Sequence, residues 1–433
     1  MRTPVILIFD VGKTNKKVLV FDQGYRLLTE ESVQLPETRD EDGFPCEDVA
    51  LLTDWVKSSL EKTISRTDIQ VQGINFSGYG ASFVCVDQTI NPVMHLCNYL
   101  KPYPSEILAE FYKLNGGIDA FSRATASPSL GNLNSGLQLF SLQKQKPDIF
   151  KKIRWALHLP QYLSSIVTNQ AVSDMTSIGC HTGLWDFTTN QYHQWVKDYE
   201  IDTILPRIHR CNETIPVSLK GQQVPVGIGL HDSSAALIPY LATFHEPFVL
   251  LSTGTWNICL NPFNHSPLTI DELQQDCLSY LTFSGKPVKA SRLFAGHEHE
   301  EQVLALAEKY SVRSEYFLHL TTEGTEEFHF QELPAIAYLD FMKVLVEKQE
   351  KAIRLALGDG KATRIFVDGG FSKNEIFMKL LSQRFAGCDV FAAHVAQASA
   401  LGTALVIHSS WNPNPVPKDL IDLKRVSVNV KTT

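Results

Sequence analysis

Residues 5–21 read VILIFDVGKTNKKVLVF, two apolar runs separated by a short polar turn. The first run ends at Asp10, the turn contains Gly12, and the second run begins at Val18. Two apolar runs around a glycine turn are typical of a pair of β-strands. We therefore predict a β-hairpin that carries an acidic side chain at its rim.

The same turn contains Gly12-Lys13-Thr14, the last three residues of the P-loop motif G-x-x-x-x-G-K-[ST]. The complete motif needs a glycine five positions earlier, where this chain has Leu7 within the predicted strand. The backbone there cannot coil around phosphates as a P-loop does. A hairpin of this kind can still hold phosphate and a metal ion by another geometry.

A similar stretch, FVLLSTGTWNICL, occupies residues 248–260 and bends at Gly254. If each hairpin opens one half of the chain, the two glycine turns can face each other and hold a triphosphate between them. The alternative is that both are ordinary hairpins, because glycine turns are common. We place the division between domains 1–241 and 242–433, within the proline-containing stretch 237–247.

Other segments alternate between the pattern of a β-strand and the 3.6-residue period of an α-helix. Strand, glycine turn and strand are predicted over 71–87, and a strand followed by a helix over 364–381. Apolar residues near a 3.6-residue period predict helices over 50–65 and 338–357. Strands that alternate with helices indicate an α/β protein.

Composition limits the classes of protein to consider. The chain has 433 residues and a net charge of −8, which disfavours a broad nucleic-acid surface. Its eight cysteines are scattered without a C-x-x-C pair, as expected for reduced thiols. The first apolar stretch stops at Asp10, and no apolar run reaches the ~18 residues of a membrane span. We expect a soluble cytoplasmic protein that binds neither membrane nor nucleic acid.

Asp232 follows a strand with Gly227 and Gly229 and precedes an alanine-rich helix. One interpretation is a helix N-cap that accepts hydrogen bonds from the first helical N–H groups. The other is a general base that orients a substrate hydroxyl for attack on a phosphoryl group. Asp10 has two interpretations as well, a turn former at a strand end or a Mg²⁺ ligand acting through water.

Two further polar segments have both structural and functional interpretations. Gly369 and Gly370 allow close backbone approach of a flat ligand, while Ser372 and Glu375 have the spacing of a capping box. The segment 295–302, AGHEHEEQ, could supply metal ligands, but acids in the first turn of a helix explain it more simply.

Four motifs occur together in a characteristic order. They are DVGKTN (10–15), GLHDSSAA (229–236), LSTGTWN (251–257) and DGGFSKNE with ASALGTAL (368–375 and 398–405). Together they resemble the FGGY family of carbohydrate kinases over roughly residues 5–407. The stretch 157–186 is also similar to the family's segment that closes the helical part of the N-terminal domain.

The resemblance implies two ribonuclease-H-like domains of the actin and hexokinase type, with ATP in the cleft between them. It implies that Asp232 is the catalytic base and that Asp10 faces Mg²⁺. The ATP-binding residues that it implies are Lys13, Thr14, Asn15, Thr253, Gly254, Thr255, Gly369, Gly370, Phe371 and Asn374. The family usually has two hydroxyl residues after the first hairpin glycine, whereas here Lys13 precedes Thr14.

LSTGTWN is most similar to the rhamnulokinase branch, which phosphorylates a primary hydroxyl of an L-6-deoxyketohexose. The expected reaction is therefore ATP-dependent phosphorylation of a ketose similar to L-rhamnulose or L-fuculose, or of a pentulose. The candidate sugar contacts are Tyr79, Gly80, Ser82, Asn98, His231 and Asp232. The branch has Trp or His where this chain has Tyr79.

Two other functions remain open at this point. An actin-like nucleotide switch or assembly ATPase would use the same fold, because fold does not fix function. A catalytically weakened sugar sensor would suit the altered first hairpin. Asp232 favours the kinase, because a filament subunit needs no base beside an acceptor pocket. The sequence also leaves a homodimer open.

Overall fold

The computed structural model describes residues 2–321, 328, 330–395 and 397–426. Its N-terminal half contains fifteen strands: β1 (Thr3–Val11), β2 (Lys16–Asp22), β3 (Leu27–Val33), β4 (Glu37–Arg39), β5 (Pro45–Glu47), β6 (Ile69–Gly78), β7 (Phe83–Val86), β8 (Trp155–His158), β9 (Ser173–Asp174), β10 (Trp185–Asp186), β11 (Gln191–Tyr192), β12 (Ile208–His209), β13 (Thr214–Leu219), β14 (Gln222–Gly227) and β15 (Leu230–His231). Its α-helices are α1 (Val49–Ile64), α2 (Ser105–Leu114), α3 (Ile118–Thr125), α4 (Ser135–Gln145), α5 (Pro147–Phe150), α6 (Leu159–Thr168), α7 (Met175–Ile178), α8 (Gln194–Asp198) and α9 (Asp232–Thr243). Short 3₁₀ turns span Gly131–Leu133 and Ile201–Ile204.

The C-terminal half contains β16 (Phe248–Thr253), β17 (Asn257–Asn261), β18 (Cys277–Leu281), β19 (Pro287–Leu293), β20 (Arg364–Gly369), β21 (Asp389–His394) and β22 (Asp422–Arg425). Its α-helices are α10 (Ile270–Gln274), α11 (Ala295–Tyr310), α12 (Glu315–Leu318), α13 (Leu333–Leu357), α14 (Glu375–Arg384), α15 (Ala398–Val406) and α16 (His408–Trp411). A third 3₁₀ turn, Gly370–Lys373, precedes α14. The predicted α/β class is confirmed, and the predicted helices 50–65 and 338–357 correspond to α1 and α13.

The N-terminal sheet has the strand order β13-β14-β6-β1-β2-β3, with β15 paired to β6. β1 pairs antiparallel with β2, which confirms the first hairpin, and parallel with β6 on its other side. Residues 5–9 of β1 are all buried, because both faces of this central strand are covered. Burial on both faces explains why this strand is a continuous apolar run that stops at Asp10.

The C-terminal sheet has the order β18-β19-β17-β16-β20-β21-β22. The second hairpin is confirmed by the antiparallel pairing of β16 with β17, and β20 runs parallel to β16. Each half of the chain thus opens with a hairpin whose first strand is central in its own sheet. The fold consists of two α/β domains of related plan.

The two halves meet through α9 and α15. Gly402 of α15 lies so close to α9 that a Cβ on it would stand 1.9 Å from the carbonyl oxygen of Ala235. The amide of Asn75 in β6 also donates to the carbonyl of Thr403, at 2.8 Å. α9 continues through Pro239 to Thr243. The boundary that we placed between residues 241 and 242 therefore falls in its last turn and stays a prediction.

The two strands predicted over 71–87 are confirmed as β6 and β7, although they do not pair with each other: β6 has partners on both edges, and β7 pairs with β8. One local expectation is wrong. The Ser372–Glu375 capping box is absent, because the 3₁₀ turn delays α14 until Glu375. Asn374 caps α14 by accepting from the N–H of Phe377, while Ser372 donates to the carbonyl of Gly369.

In the described part of the chain, no helix is both long enough and apolar enough to span a membrane. The same part contains no cluster of three His, Cys, Asp or Glu side chains that could hold a metal ion. Segment 295–302 instead forms the start of α11, where His299 hydrogen-bonds to the Tyr338 hydroxyl at 2.8 Å.

Candidate active site

Asp10 lies near the end of β1, and hydroxyl groups hold both of its carboxylate oxygens. Ser77, its register partner on β6, donates to Oδ1 at 2.6 Å, and Ser399 of α15 donates to Oδ2 at 2.7 Å. Burial raises the pKa of Asp10, the two hydroxyls lower it, and the negative charge of Asp232 raises it again. The two carboxylates therefore lie within electrostatic reach of each other.

Asp232 is not the N-cap of α9. The capping position is occupied by His231, and Asp232 is the first helical residue. Its Oδ1 accepts from the N–H of Ser233 at 2.6 Å and from the Ser233 hydroxyl at 3.2 Å. No described residue donates to Oδ2. Burial raises the pKa of Asp232 to about 6, although 30% of its side chain remains accessible.

His231 lies between Asp232 and the C-terminal domain. Its Nε2 is 3.2 Å from Oδ1 of Asp232 and 3.2 Å from Sγ of Cys180. Its ring stacks on Tyr280 of β18, with centroids 5.6 Å apart and planes at 20°. Burial lowers the pKa of His231 to about 4, so the imidazole is neutral at neutral pH. Nε2 hydrogen-bonds to Sγ of Cys180, and the neutral ring is a close polar neighbour of the Asp232 carboxylate.

The first hairpin turn is closed by the N–H of Gly12, which donates to the carbonyl of Asn15 at 3.0 Å. Lys13 is partly exposed and pairs with Glu37 at 2.9 Å. Lys16 is 2% exposed and pairs with Glu47 at 2.9 Å, so its positive charge is compensated inside the domain. Lys13 is therefore the more accessible of these two lysines.

The second hairpin turn presents exposed backbone at Gly254 and Thr255. A Cβ at Gly254 would meet nothing closer than the Trp256 carbonyl, at 3.8 Å, so the open space lies on the side where a ligand could sit. Thr253 is buried and has a structural role. Its hydroxyl donates to the carbonyl of Asp368 at 2.6 Å and accepts from the N–H of Phe371 at 3.0 Å.

The ATP-binding residues implied for segment 369–374 divide into two groups. Gly369 has φ +91° and would place a Cβ 2.0 Å from the carbonyl oxygen of Thr253, so only glycine fits there. Gly370 is exposed with open space in front of it. Phe371 is buried in the domain core, and the Asn374 amide is used to cap α14 and to donate to Tyr338.

The candidate sugar contacts are only partly brought together. A Cβ on Gly80 would stand 2.9 Å from Sγ of Cys180 and 3.0 Å from Nε2 of His231, so this turn touches the Asp232 cluster. The hydroxyl of Tyr79 donates to buried Glu47 at 3.3 Å. Asn98 uses both polar atoms on backbone groups, donating to the carbonyl of Pro45 and accepting from the N–H of Leu100.

Ser82 is buried in the same turn, and its hydroxyl has no hydrogen-bond partner among the described residues. Tyr99 packs edge-on against Tyr79 with ring centroids 6.2 Å apart. Burial raises the pKa of Tyr99, and the charge of Asp232 raises it further. Tyr99 therefore lies within electrostatic reach of the candidate base.

Several residues of the site were not predicted from the sequence: Ser77, Tyr99, Cys180, Tyr280 and Ser399. Ser77 could have been found, because it precedes Gly78 at the end of β6, parallel to the strand that carries Asp10. Ser399 stands in the ASALGTAL motif, which was noticed without assigning this residue a role. Cys180 and Tyr280 reach His231 from distant segments, and nothing in their local sequence marks them.

Comparison with known proteins shows which family the sequence matches. The N-terminal domain of the FGGY family of carbohydrate kinases matches residues 5–239, and the FGGY C-terminal domain matches residues 245–320. Rhamnulokinase from Halalkalibacterium halodurans is 24% identical over 58% of this chain and 55% of its own length. Rhamnulokinase from Yersinia pestis is 24% identical over 51% of this chain and 46% of its own length. The chain spans about half the length of the curated relatives it matches.

Solved structures share the fold over nearly the whole chain. Xylulose kinase from Rhodospirillum rubrum has a TM-score of 0.80 at 14% identity, covering 98% of this chain and 94% of its own. A carbohydrate kinase from Novosphingobium aromaticivorans has a TM-score of 0.78 at 22% identity, with the same coverage. These likenesses confirm the two-domain fold of the actin and hexokinase type. The chain belongs to the FGGY family of carbohydrate kinases.

Proposed function

We propose that this protein is an ATP-dependent kinase that phosphorylates a primary hydroxyl of a ketose, with Asp232 as the catalytic base. The observation that carries the proposal is the asymmetry of the Asp232 carboxylate. His231 and Ser233 approach only Oδ1, and no described residue donates to Oδ2. Oδ2 is thus available to accept a proton from a substrate hydroxyl.

The electrostatics suit this role. A base is most effective when its pKa lies near the working pH. With a pKa of about 6, Asp232 is largely ionised at pH 7.5 yet more basic than an ordinary aspartate. His231 is neutral, so it orients the carboxylate without offering a full positive charge that would lower this basicity.

In the proposed reaction, the sugar hydroxyl donates its proton to Oδ2 of Asp232 as its oxygen attacks the γ-phosphorus of ATP. The bond between that phosphorus and the β–γ bridging oxygen breaks, and ADP leaves. Positioning contributes most of the rate in phosphoryl transfer. We assign the phosphates to the exposed turns at residues 12–15 and 254–255, and adenosine to the open face of Gly370.

Asp10 is the residue that fits Mg²⁺. Its surroundings supply only hard oxygen donors, from its own carboxylate and from Ser77 and Ser399, and Mg²⁺ prefers such donors. Because hydroxyls already hold both carboxylate oxygens, we propose that Asp10 acts through a water ligand. When bound with ATP, Mg²⁺ supplies charge neutralisation for the phosphate oxygens.

The relatives indicate the class of sugar. The curated relatives are rhamnulokinases, and structural neighbours include xylulose kinases. We therefore propose a ketose similar to L-rhamnulose or L-fuculose, or a pentulose. Within the candidate set, Gly80 and His231 lie beside Asp232, and we propose Tyr99 as a further wall of the pocket.

A panel of ketoses, pentuloses and polyols, screened for ADP release with ATP and Mg²⁺, tests the proposal. One ketose should stimulate ADP release strongly, and Asp232→Asn should abolish most of that stimulation. Equal stimulation in the wild type and Asp232→Asn would exclude Asp232 as the base. If only polyols or sugar acids stimulate ADP release, the ketose assignment is wrong but the protein is still a kinase.

A further inference from the structure

A cavity of about 550 Å³ lies where the N-terminal half meets the turn between β18 and β19. Its N-terminal wall is formed by Met175 and by residues of segment 207–213, and its C-terminal wall by Phe283 and Ser284. Of these lining residues, none is assigned to ATP, Mg²⁺ or the sugar. The volume is within the range of about 300–1,000 Å³ that is usual for small-molecule sites.

Arg207 and Arg210 supply positive charge to this cavity. Both residues line it and both are exposed to solvent. Neither side chain forms an ion pair or a hydrogen bond with any residue that the structure describes. A guanidinium group pairs well with phosphate, because its fork of N–H donors matches two phosphate oxygens at once. Two arginines without a partner at one cavity therefore indicate a place for a phosphate group.

Glu213 is the acidic residue of the same lining. Its Oε2 lies 2.7 Å from Nδ1 of His209. The hydrogen bond from His209 lowers the pKa of Glu213, and the positive charge of Arg210 lowers it as well. Two arginines and one carboxylate leave a net positive charge here, although the whole chain carries −8. The lining therefore favours an anion over a cation.

Both walls of the cavity lead to His231, the neighbour of the candidate base. On the N-terminal side, β12 pairs with β9, which continues into α7, and Thr176 of α7 accepts from the N–H of His231 at 2.9 Å. On the C-terminal side, Phe283 follows β18, and Tyr280 of β18 stacks on the His231 ring. An occupant of the cavity is thus connected to the surroundings of Asp232 through both halves of the chain.

We propose that this cavity binds a phosphate monoester and that the occupant regulates the sugar site. The phosphate lies between Arg207 and Arg210, and the organic body lies against Met175 and Phe283. A phosphate group alone is too small to fill the cavity, so the ligand carries a body of small-molecule size. Because the occupant contacts both halves of the chain, its binding changes the affinity for the sugar. The binding site stands on its own, whereas the regulation rests on the proposed function.

Phenyl phosphate and phenyl sulfate are matched probes, because the same ring carries a dianion in one and a monoanion in the other at pH 8. We expect saturable binding of phenyl phosphate to the intact chain by calorimetry, with phenyl sulfate at least about tenfold weaker. A saturating non-hydrolysable ATP analogue keeps both probes away from the proposed phosphate turns. The absence of saturable phenyl phosphate binding, or equal affinity for phenyl sulfate, would overturn the site.

Inorganic phosphate separates the two parts of the proposed ligand. It should bind more weakly than phenyl phosphate, because it lacks a ring to contact the apolar side chains of the lining. Equal affinity for inorganic phosphate and phenyl phosphate would overturn the assignment of an organic body.

Three variants locate the binding. Arg207→Gln and Arg210→Gln should each weaken phenyl phosphate binding at least about tenfold, because each removes a charged donor to the phosphate. Arg313→Gln changes an exposed arginine outside the cavity and should have no effect. Because all three positions are exposed, the variants should fold as the wild type does. Binding that both cavity variants leave unchanged would place the probe elsewhere and overturn the proposal.

The regulation has a separate readout. Saturating phenyl phosphate should change the KM for the sugar at least about fivefold in the wild type. It should leave the KM unchanged in a double variant that combines Arg207→Gln and Arg210→Gln. Binding in the cavity without a change in KM would overturn the regulation alone. If no sugar is phosphorylated at all, the proposed function fails, and the calorimetric comparison still decides the site.

Discussion

Nε2 of His231 lies 3.2 Å from Oδ1 of Asp232 and 3.2 Å from Sγ of Cys180. The imidazole thus contacts one oxygen of the carboxylate, and no described residue donates to the other. Tyr280, from the C-terminal domain, stacks on the same ring. The surroundings of the candidate base therefore include residues from both halves of the chain.

Asp232→Asn should lower kcat by about 10²–10⁴, the usual contribution of a general base, without a comparable change in the affinity for ATP. Asparagine keeps an oxygen to accept from Ser233 but cannot take up a proton. Single-turnover kinetics and nucleotide titration separate these two effects. Near-full activity in a folded variant would mean that Asp232 has only a structural role.

The same variant should be more stable than the wild type at pH 7.5. Burial raises the pKa of Asp232 from 3.8 to about 6, so the folded state binds more protons than the unfolded state between these values. Stability therefore falls as pH rises through this window, and the cost persists above it. We expect a higher Tm for Asp232→Asn at pH 7.5 and no difference at pH 3.5. A lower Tm for the variant at both pH values would contradict the assigned pKa.

The pH profile of the reaction should depend on His231. In the wild type, kcat/KM should fall about tenfold per pH unit below the Asp232 pKa of about 6. Replacing the imidazole 3.2 Å from Oδ1 by an apolar ring leaves the buried carboxylate with one polar neighbour fewer, which raises its pKa. His231→Phe should thus move the acid limb to higher pH while retaining more activity at pH 8 than at pH 6. An unshifted limb would show that His231 does not act through the carboxylate.

Gly254→Val should raise the KM for ATP at least about tenfold, because a branched side chain would occupy the space assigned to phosphate. The fold should tolerate the change, since the nearest atom to an added Cβ is 3.8 Å away. Gly387→Val is a matched control at another glycine with open space, where the KM should not change. Equal nucleotide affinity in the wild type and both variants would show that the second hairpin does not contact the nucleotide.

The sequence predicted the parts of the fold that depend on local pattern. The hairpins around Gly12 and Gly254 were predictable because turn residues and apolar runs lie side by side. The pairing of β7 with β8 was not, because about 70 residues separate them and β7 carries no mark of its partner. The capping box failed because the 3₁₀ turn before Glu375 shifts the helix start.

The residues of the candidate site also differ in whether a local sequence pattern marks them. Asp10 and Asp232 were identified because each stands where an apolar strand ends, in a motif with a recognisable resemblance. The packing around His231 was invisible, because Cys180 and Tyr280 reach it from other elements. Asn98 illustrates the reverse, since its amide resembled a sugar contact but is used by neighbouring backbone groups.

Sugar binding should also favour domain closure, because the acceptor and ATP meet between the two halves. Small-angle scattering should show a smaller radius of gyration with the ketose and a non-hydrolysable ATP analogue than with either alone. Growth in particle size on addition of nucleotide alone would instead support the assembly ATPase.

The most direct test of the account is the ratio of ATP turnover with and without the acceptor ketose. A positioned hydroxyl bound beside Oδ2 of Asp232 should exceed water as a nucleophile by at least about 10²-fold. We predict that ADP release rises by this factor with the right ketose, and that a stoichiometric amount of sugar phosphate forms. Turnover of ATP that no ketose, pentulose or polyol accelerates, with no sugar phosphate formed, would contradict the kinase assignment.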